Sequence, residues 1–198
     1  AYVAQVGLQA ILAYAVADCD ALGLNLEQDL SKIAVGIQGI VDDKETLQRV
    51  ANEMLVESRN AFFIGRGVDS TVSLEAALQL KEISYVQAEG FAAGELKHGT
   101  LALIEEGTPV IALITQSKTA GLVRGNLAET QARGSRAYTI VTAELAKEGD
   151  DFILPNVNEL LSPLLSVVPT QLLAYYTSLG RGLDVDRPRN LAKSVTVQ

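Results

Sequence analysis

A trio of polar side chains has the types and spacing to do chemistry. Glu75, Gln79 and Glu82 are separated by four and three positions, so a helix would carry all three on one face. A carboxylate held in this way can act as a general base, and proton transfer between adjacent carbons of a sugar needs such a base. A solvated helix face has the same spacing, and the spacing alone leaves both interpretations open.

The single histidine of the chain is the second candidate. His98 lies between Gly94 and Gly99, in a segment that also carries Glu95 and Lys97. An imidazole in a glycine-bounded loop is suited to act as an acid or a base, because its charge changes near neutral pH. A structural loop histidine is the alternative. With no second histidine and no carboxylate spacing that resembles a ligand set, we expect no metal site.

The C-terminal tail concentrates positive charge in a chain of net charge −8. Its cations are Arg181, Arg187, Arg189 and Lys193, and Pro188 excludes a helix interior there. A lysine held against a substrate carbonyl could act as an acid or form a Schiff base. An exposed terminal arm is the alternative that the composition favours.

Hydroxyl side chains mark a further candidate site between a predicted strand and a predicted helix. Thr115, Ser117 and Thr119 could help to hold a phosphate, because backbone N–H groups at the start of a helix attract anions. Ordinary helix capping is the alternative. The Gly65–Gly67 turn does not match a dinucleotide-binding motif, and we expect no cofactor.

Short apolar runs alternate with helical patterns in the second part of the chain. They predict strands at Ala61–Ile64, Pro109–Thr115, Ala137–Thr142 and Phe152–Leu154. Such runs imply a parallel sheet covered on both faces, so the predicted fold is an α/β three-layer αβα sandwich. We expect a single module over residues 1–198, with a helical lead-in at 1–59, the core at 60–183 and a C-terminal tail at 184–198.

The helices are predicted from their caps and periodicity. Three precede the first strand, and Asn25 caps the second of them. Asp69 or Ser70 is expected to cap a long helix that runs to about Gln87. Ligands in such folds bind beyond the carboxyl ends of the strands, so the segments after Ile64, Thr115 and Thr142 should line any crevice.

Composition excludes several classes of protein. The net charge of −8 opposes general nucleic-acid binding. Cys19 is the only cysteine, so no internal disulfide can form, and a reducing, cytoplasmic compartment is expected. Gln5 and Asp18 interrupt the apolar N-terminal stretch, so we expect no membrane span. The first residue is alanine, which predicts a fragment or a processed product.

Three stretches of the chain resemble one family closely: LEAALQLKEIS, AEGFAAGELKHG and DVDRPRNLAKSVTV. They are similar to the C-terminal, second sugar-isomerase (SIS) module of the glucosamine-6-phosphate synthase family, also called glutamine–fructose-6-phosphate aminotransferases. The resemblance spans essentially the whole chain. It implies a flavodoxin-like SIS fold, and part of an enzyme that converts fructose 6-phosphate and glutamine-derived ammonia to glucosamine 6-phosphate.

The resemblance also implies roles for single residues. Glu82 matches the base that moves a proton between C1 and C2 of the sugar, and Glu75 matches a carboxylate that supports it. His98 matches the histidine of sugar-ring opening, which the neighbouring subunit supplies in that family. Lys193 matches the lysine that forms a Schiff base with the open-chain ketose, and Ala192 matches a backbone contact to the sugar.

Gln79 departs from the family pattern, in which lysine is frequent at this place, as in LKLKEIS. Together with Glu75 and Ala192, Gln79 is a predicted substrate contact. A neutral amide cannot supply the positive charge of a lysine, and Lys81 points to a different side of the helix. Either the base works without this cation or another group supplies it.

The resemblance implies a longer parent protein and a dimer. In the family, a glutaminase half and a first SIS module precede this module, and the first module carries the main phosphate-binding loop. We therefore expect the isolated chain to be inactive or very weak, and we expect a homodimer because the histidine acts across subunits. A regulatory sugar-phosphate-binding module without catalysis and a purely structural dimerisation module are the alternatives.

Overall fold

One five-stranded parallel sheet organises the molecule in the computed structural model, which describes residues 1–17 and 23–190. The strand order is β2-β1-β3-β4-β5, which is the flavodoxin-like order. The strands are β1 Asn60–Gly65, β2 Gln87–Ala92, β3 Pro109–Ile114, β4 Arg136–Thr142 and β5 Phe152–Leu154. The predicted α/β fold with a parallel sheet between helical layers is confirmed.

Six α-helices surround the sheet in the described part of the chain: α1 Tyr2–Val16, α2 Leu26–Asp42, α3 Lys44–Val50, α4 Val68–Ser84, α5 Ala120–Gln131 and α6 Ser162–Gly180. A π-type turn, Ala51–Leu55, extends α3, and short 3₁₀ segments lie at Ala93–His98, Thr100–Leu103 and Ala143–Leu145. Asn25 caps α2 as predicted, because its side chain accepts a hydrogen bond from the Gln28 N–H at 3.1 Å.

The start of α4 differs from the prediction. Gly67, and neither Asp69 nor Ser70, is the residue that precedes the helix. Its φ of 58° and ψ of −127° form a backbone conformation that glycine adopts far more readily than other residues. Asp69 therefore lies inside the first turn, where its side chain is free for a different task described below.

The strand β2 is absent from the sequence-based prediction, which extends α4 to about Gln87 instead. This segment has no continuous apolar run, since it is an edge strand with β1 as its single neighbour. Gly90 occurs in the strand because a Cβ atom there would collide with the backbone of Ser73 and Leu74 in α4. A glycine inside a strand thus marks the close approach of a helix.

Both faces of the sheet are buried, and β1 shows this most clearly. Phe63 packs in the core formed with α3, α4 and α6, whereas Phe62 and Ile64 pack in the core formed with α5 and the 93–98 segment. Burial of side chains of this size contributes about 2 kcal/mol each to folding. The two cores hold the ends of the strands, and hence the loops beyond them, in fixed positions.

The first helix lies on the outside of the molecule. No residue of α1 is buried, and Leu8, Ile11 and Leu12 are 58%, 46% and 58% exposed. On its inner side, Val3 and Val6 pack against a small cluster that belongs mainly to α2 and α6. The helix is therefore attached by one face and presents apolar side chains on the other.

Candidate functional site

The predicted trio lies on α4, as its spacing requires. The Gln79 amide donates a hydrogen bond from Nε2 to Oε1 of Glu75 at 2.5 Å. The neutral residue at position 79 thus engages the carboxylate one turn before it. Burial and, after it, the negative charge of Glu75 raise the pKa of Tyr2, at the start of α1, above its ordinary value.

Glu82 borders a cleft of about 390 Å³ between α4 and α6. The other lining residues are Gln79, Ile83, Gln171, Leu172, Ala174 and Tyr175. Most of this surface is apolar, and Glu82 is exposed at its rim. The arrangement offers a carboxylate beside an apolar wall, which is a suitable setting for a general base.

His98 is the last residue of the 3₁₀ segment that follows β2, and it is exposed. Two contacts hold this segment. Lys97 forms an ion pair with Glu129 of α5 at 2.8 Å, and the hydrogen bond from Lys97 is the largest of the effects that lower the pKa of Glu129. On the other side, the Arg66 guanidinium lies against Gly94, where a Cβ atom would be 2.6 Å from Nη2.

Arg66 belongs to the turn after β1 and connects three parts of the structure. Its Nε and Nη2 atoms donate hydrogen bonds to Oδ1 of Asn126 in α5, at 3.2 and 3.1 Å. The turn Gly65–Gly67 therefore contacts both α5 and the 93–98 segment through Arg66, and Gly67 in this turn has a positive φ. It fixes the position of the loop that carries His98.

Glu82 and His98 lie toward opposite ends of the sheet within one chain. The helix α4 starts beyond the carboxyl end of β1 and returns to the amino end of β2, so Glu82 lies near the amino end. His98 follows β2 and lies at the carboxyl end. A strand of six residues spans about 20 Å, so one chain keeps the two side chains apart.

The C-terminal tail returns to the amino end of the sheet, near the end of α4. Arg181, directly after α6, donates hydrogen bonds to the carbonyl groups of Val56, Ser58 and Ser84 at 2.8, 3.1 and 2.8 Å. This predicted tail cation is thus a structural clamp. Ala192 and Lys193 lie outside the described residues.

Arg189 is held by Tyr85, a residue that the sequence interpretation did not single out. The Arg189 N–H donates a hydrogen bond to the Tyr85 hydroxyl at 2.8 Å, and its guanidinium carbon lies 4.0 Å from the centroid of the tyrosine ring. The two residues are 104 positions apart, and no sequence pattern joins them. The last described residues of the tail therefore lie against the end of α4.

Each candidate phosphate-binding residue uses at least one of its donor groups within the protein. Thr115 is buried and donates hydrogen bonds from its N–H and its hydroxyl to the Asp69 carboxylate, at 2.8 and 2.5 Å. Burial raises the pKa of Asp69, and these hydrogen bonds oppose the rise. The Ser117 N–H donates to Oε1 of Glu159 at 2.8 Å, and the Thr119 hydroxyl donates to the Gln116 carbonyl at 3.5 Å.

These contacts lie in the crevice at the topological switch point, between the carboxyl ends of β1 and β3. Asp69 occupies its floor, and Glu159 places a carboxylate where an anion would meet the Ser117 N–H. Neither residue is among the predicted site residues: Asp69 is predicted only as a possible helix cap, and nothing in the sequence marks Glu159. A phosphate at this place would have to displace the Glu159 side chain.

The described residues show neither a metal site nor a membrane-spanning helix. Within residues 1–17 and 23–190, no group of three or more histidine, cysteine, aspartate or glutamate side chains is arranged to hold a metal ion. Among the helices of the same residues, none is long and apolar enough to cross a membrane.

Comparison with known proteins gives the family. The sequence model of the SIS domain matches residues 54–180, from the end of the lead-in through α6. The chain belongs to the SIS domain family. The SIS part of the resemblance inferred from its motifs is thereby confirmed, and the flavodoxin-like sheet agrees with it.

Two curated relatives of this chain share one name. The chain is 62% identical over 202 aligned residues to glutamine–fructose-6-phosphate aminotransferase (isomerizing) of Lactiplantibacillus plantarum, and the alignment covers 100% of the chain and 33% of the relative. It is 53% identical to the protein of the same name from Listeria innocua, with 100% and 34% covered. The chain spans about a third of the length of these relatives.

Solved structures also resemble this SIS domain. The C-terminal domain of glucosamine-fructose-6-phosphate aminotransferase from Francisella tularensis superposes with a TM-score of 0.75 at 28% identity, covering 81% of this chain and 46% of that one. A putative tagatose-6-phosphate ketose/aldose isomerase from Clostridium novyi has a TM-score of 0.73 at 14% identity, covering 96% and 52%. The second likeness concerns the fold alone.

Proposed function

We propose that this SIS domain is the C-terminal part of the isomerase half of a glutamine–fructose-6-phosphate aminotransferase. The parent enzyme would convert fructose 6-phosphate and ammonia to glucosamine 6-phosphate and water, with glutamine as the source of ammonia. The observation that carries the proposal is 62% identity over the full length of the chain to a protein of that name. The placement of Glu75, Gln79 and Glu82 on one side of α4 supports it.

The proposed chemistry assigns one step to each of two residues. The Lys193 amine condenses with the C2 carbonyl of the open-chain ketose and releases one water, which gives an imine. Ammonia then displaces the lysine from C2. Glu82 takes a proton from C1 and returns it to C2, and the proton of the C1 hydroxyl passes to the imine nitrogen, which leaves an amine on C2 and an aldehyde at C1. Over the cycle, one ammonia enters and one water leaves.

The proposal assigns ring opening to His98 and includes a homodimer, in which one copy of the chain supplies His98 to the site of the other. Because His98 and Glu82 lie toward opposite ends of the sheet, we assign the His98 of each site to a second copy of the chain. Glu75, Gln79 and the backbone of Ala192 are the proposed sugar contacts. A cytoplasmic location stays a prediction that rests on the single cysteine.

The phosphate of the sugar is proposed to bind mainly to a first SIS module of the parent protein. In this chain, Glu159 and Asp69 already occupy the donors at Thr115 and Ser117. Phosphate binding at Thr115, Ser117 and Thr119 remains a prediction, and so does the inactivity of the isolated chain. Isomerisation of fructose 6-phosphate by the 198-residue chain alone would contradict that inactivity.

Reductive trapping tests the proposal. The parent enzyme and the isolated chain are each incubated with fructose 6-phosphate and borohydride, which reduces an imine to a stable secondary amine. Intact mass and peptide mapping then locate the adduct. We expect it on Lys193 of the parent enzyme and its absence from Lys193→Arg, which keeps the charge. An active parent enzyme without an adduct on Lys193 would refute the assigned step.

A further inference from the structure

Arg66 carries a partly buried positive charge that forms no ion pair with a carboxylate among the described residues. Its side chain donates instead to a neutral amide, through Nε and Nη2 to Oδ1 of Asn126 at 3.2 and 3.1 Å, and Asn126 is 4% exposed. A guanidinium reaches one acceptor with two N–H groups only in a fixed orientation, because its fork is planar and rigid. The contact therefore sets the direction of the Arg66 side chain.

The guanidinium lies directly against the segment Ala93–His98. A Cβ atom on Gly94 would be 2.6 Å from Nη2 and 3.1 Å from Cζ of Arg66, so only glycine permits this approach without a shift. In the same segment, Ala93 and Leu96 are buried in the core formed with α5. The base of the segment is thus held in place, whereas His98 at its end is exposed.

A second polar contact between this segment and α5 is weaker. Lys97 pairs with Glu129 at 2.8 Å, but the two side chains are 54% and 35% exposed. Exposed ion pairs contribute little to the stability of a fold, because water and salt screen them. Arg66 is therefore the main polar anchor of the segment.

His98 is close enough to this anchor to move with it. It lies four positions after Gly94, which is about 8 Å along a 3₁₀ helix at about 2 Å per residue. The hydrogen bonds of a 3₁₀ helix have poor geometry, so such a segment depends on its surroundings to keep its shape. A shift at Gly94 is therefore transmitted to the imidazole.

We propose that Arg66 is a positioning residue, which orients the loop of Gly94 and His98 for the opening of the sugar ring. This inference rests on the proposed function, since His98 has its role from it. In ring opening, the hydroxyl on C2 loses a proton, the bond between C2 and the ring oxygen breaks, and that oxygen gains a proton; His98 carries the proton. Arg66 acts through the loop, and its loss lowers the fraction of molecules in which the imidazole is placed for this transfer.

The test compares two substrates of the full parent enzyme. Fructose 6-phosphate closes its ring through the hydroxyl on C5, whereas 5-deoxyfructose 6-phosphate lacks this hydroxyl and stays open. Only the first needs ring opening, so a loss confined to it marks a defect in this step and not in folding. Arg66→Ala and His98→Asn are compared with Arg136→Ala, a matched arginine variant whose wild-type side chain contacts Glu53 instead. Thermal unfolding checks that each variant is folded.

Arg66→Ala should lower kcat for fructose 6-phosphate about fivefold, the effect of one hydrogen bond, with KM and the turnover of the open analogue changed less than about twofold. His98→Asn should show the same selectivity with a loss of about a hundredfold. Arg136→Ala should match the wild type with both substrates.

Gly94→Ala gives a second measurement that needs fructose 6-phosphate alone. The three heavy atoms nearest to its Cβ position all belong to Arg66, and Gly94 has no positive φ, so alanine fits once the guanidinium is gone. Gly94→Ala alone should lower kcat about threefold, because its methyl group displaces the guanidinium. Added to Arg66→Ala, it should cause no further loss.

Two kinds of result overturn the inference in different ways. If His98→Asn loses activity with fructose 6-phosphate selectively and Arg66→Ala does not, or if the losses of Arg66→Ala and Gly94→Ala multiply in the double variant, Arg66 has no positioning role, and the proposed function stands. If His98→Asn affects both substrates equally or neither, the assigned role of His98 in the proposed function fails, and the inference fails with it.

Discussion

Replacing Arg181 by lysine should destabilise the chain far more than an exchange of one cation for another suggests. The guanidinium donates to three backbone carbonyl groups that belong to different elements: Val56 after the π-type turn, Ser58 before β1 and Ser84 at the end of α4. A planar fork reaches all three at once, whereas the single ammonium of a lysine can reach only one in the same geometry.

The magnitude follows from the number of hydrogen bonds lost. Two of the three contacts disappear, and a hydrogen bond from a charged donor contributes about 1.5 kcal/mol at the lower end of its range. Arg181 is partly exposed, so water replaces some of this interaction. We therefore expect the free energy of unfolding to fall by about 2 kcal/mol. With a urea m value of about 2 kcal/mol/M, the midpoint should fall by about 1 M.

Urea unfolding of the purified chain, followed by circular dichroism, measures this change. Arg136→Lys is the control, because Arg136 also donates to a carbonyl, that of Glu53, and pairs with its carboxylate, but in an exposed position. Its midpoint should move by less than about 0.3 M. If Arg181→Lys shifts the midpoint no more than this control, the three-carbonyl clamp does not stabilise the fold as argued.

Three further predictions concern other parts of the molecule. Asp150 accepts two hydrogen bonds from Arg124 at 2.7 Å, which lower its pKa, so the pair stabilises the fold at neutral pH and this stability is lost as pH falls through the lowered pKa. Asp150→Asn should cost about 2 kcal/mol at pH 7 and flatten the loss of stability below about pH 5, measured by urea unfolding at a series of pH values. Gly90→Ala forces a Cβ atom into the backbone of α4 and should lower stability by about 2 kcal/mol, whereas Gly39→Ala, with open space around it, should stabilise α2 slightly; thermal melting compares the two. Glu159→Ala exposes a backbone N–H donor and should bind inorganic phosphate about tenfold more tightly than the wild type in a calorimetric titration, and equal affinities would contradict the view that this carboxylate fills the anion position.

Much of the fold is predictable because each buried strand carries its own signal. The runs at Ala61–Ile64 and Pro109–Ile114 are apolar throughout, since both faces of the sheet are covered. The edge strand Gln87–Ala92 lacks this signal, because polar and apolar residues are mixed in its short sequence, and the predicted helix runs on to its first residue. A left-handed residue, Tyr85, ends that helix, and tyrosine gives no warning of such a break.

The candidate site is likewise predictable from the sequence only in part. The spacing of Glu75, Gln79 and Glu82 predicts a shared helix face, because these residues are neighbours in sequence. The contacts of Asp69 with Thr115 and of Tyr85 with Arg189 join residues 46 and 104 positions apart, and only tertiary packing brings them together. The catalytic roles proposed for Glu82, His98 and Lys193 come from the motif resemblance, because the geometry of one chain does not supply them.

The apolar outer side of α1 has a practical consequence for work with this chain in solution. Leu8 and Leu12 expose apolar surface to water, whereas the net charge of −8 makes separate molecules repel one another. Added salt screens the repulsion, and sulfate also strengthens attraction between apolar surfaces. Dilute buffer should therefore keep the chain dispersed, and concentrated sulfate should drive it into clusters joined through this helix.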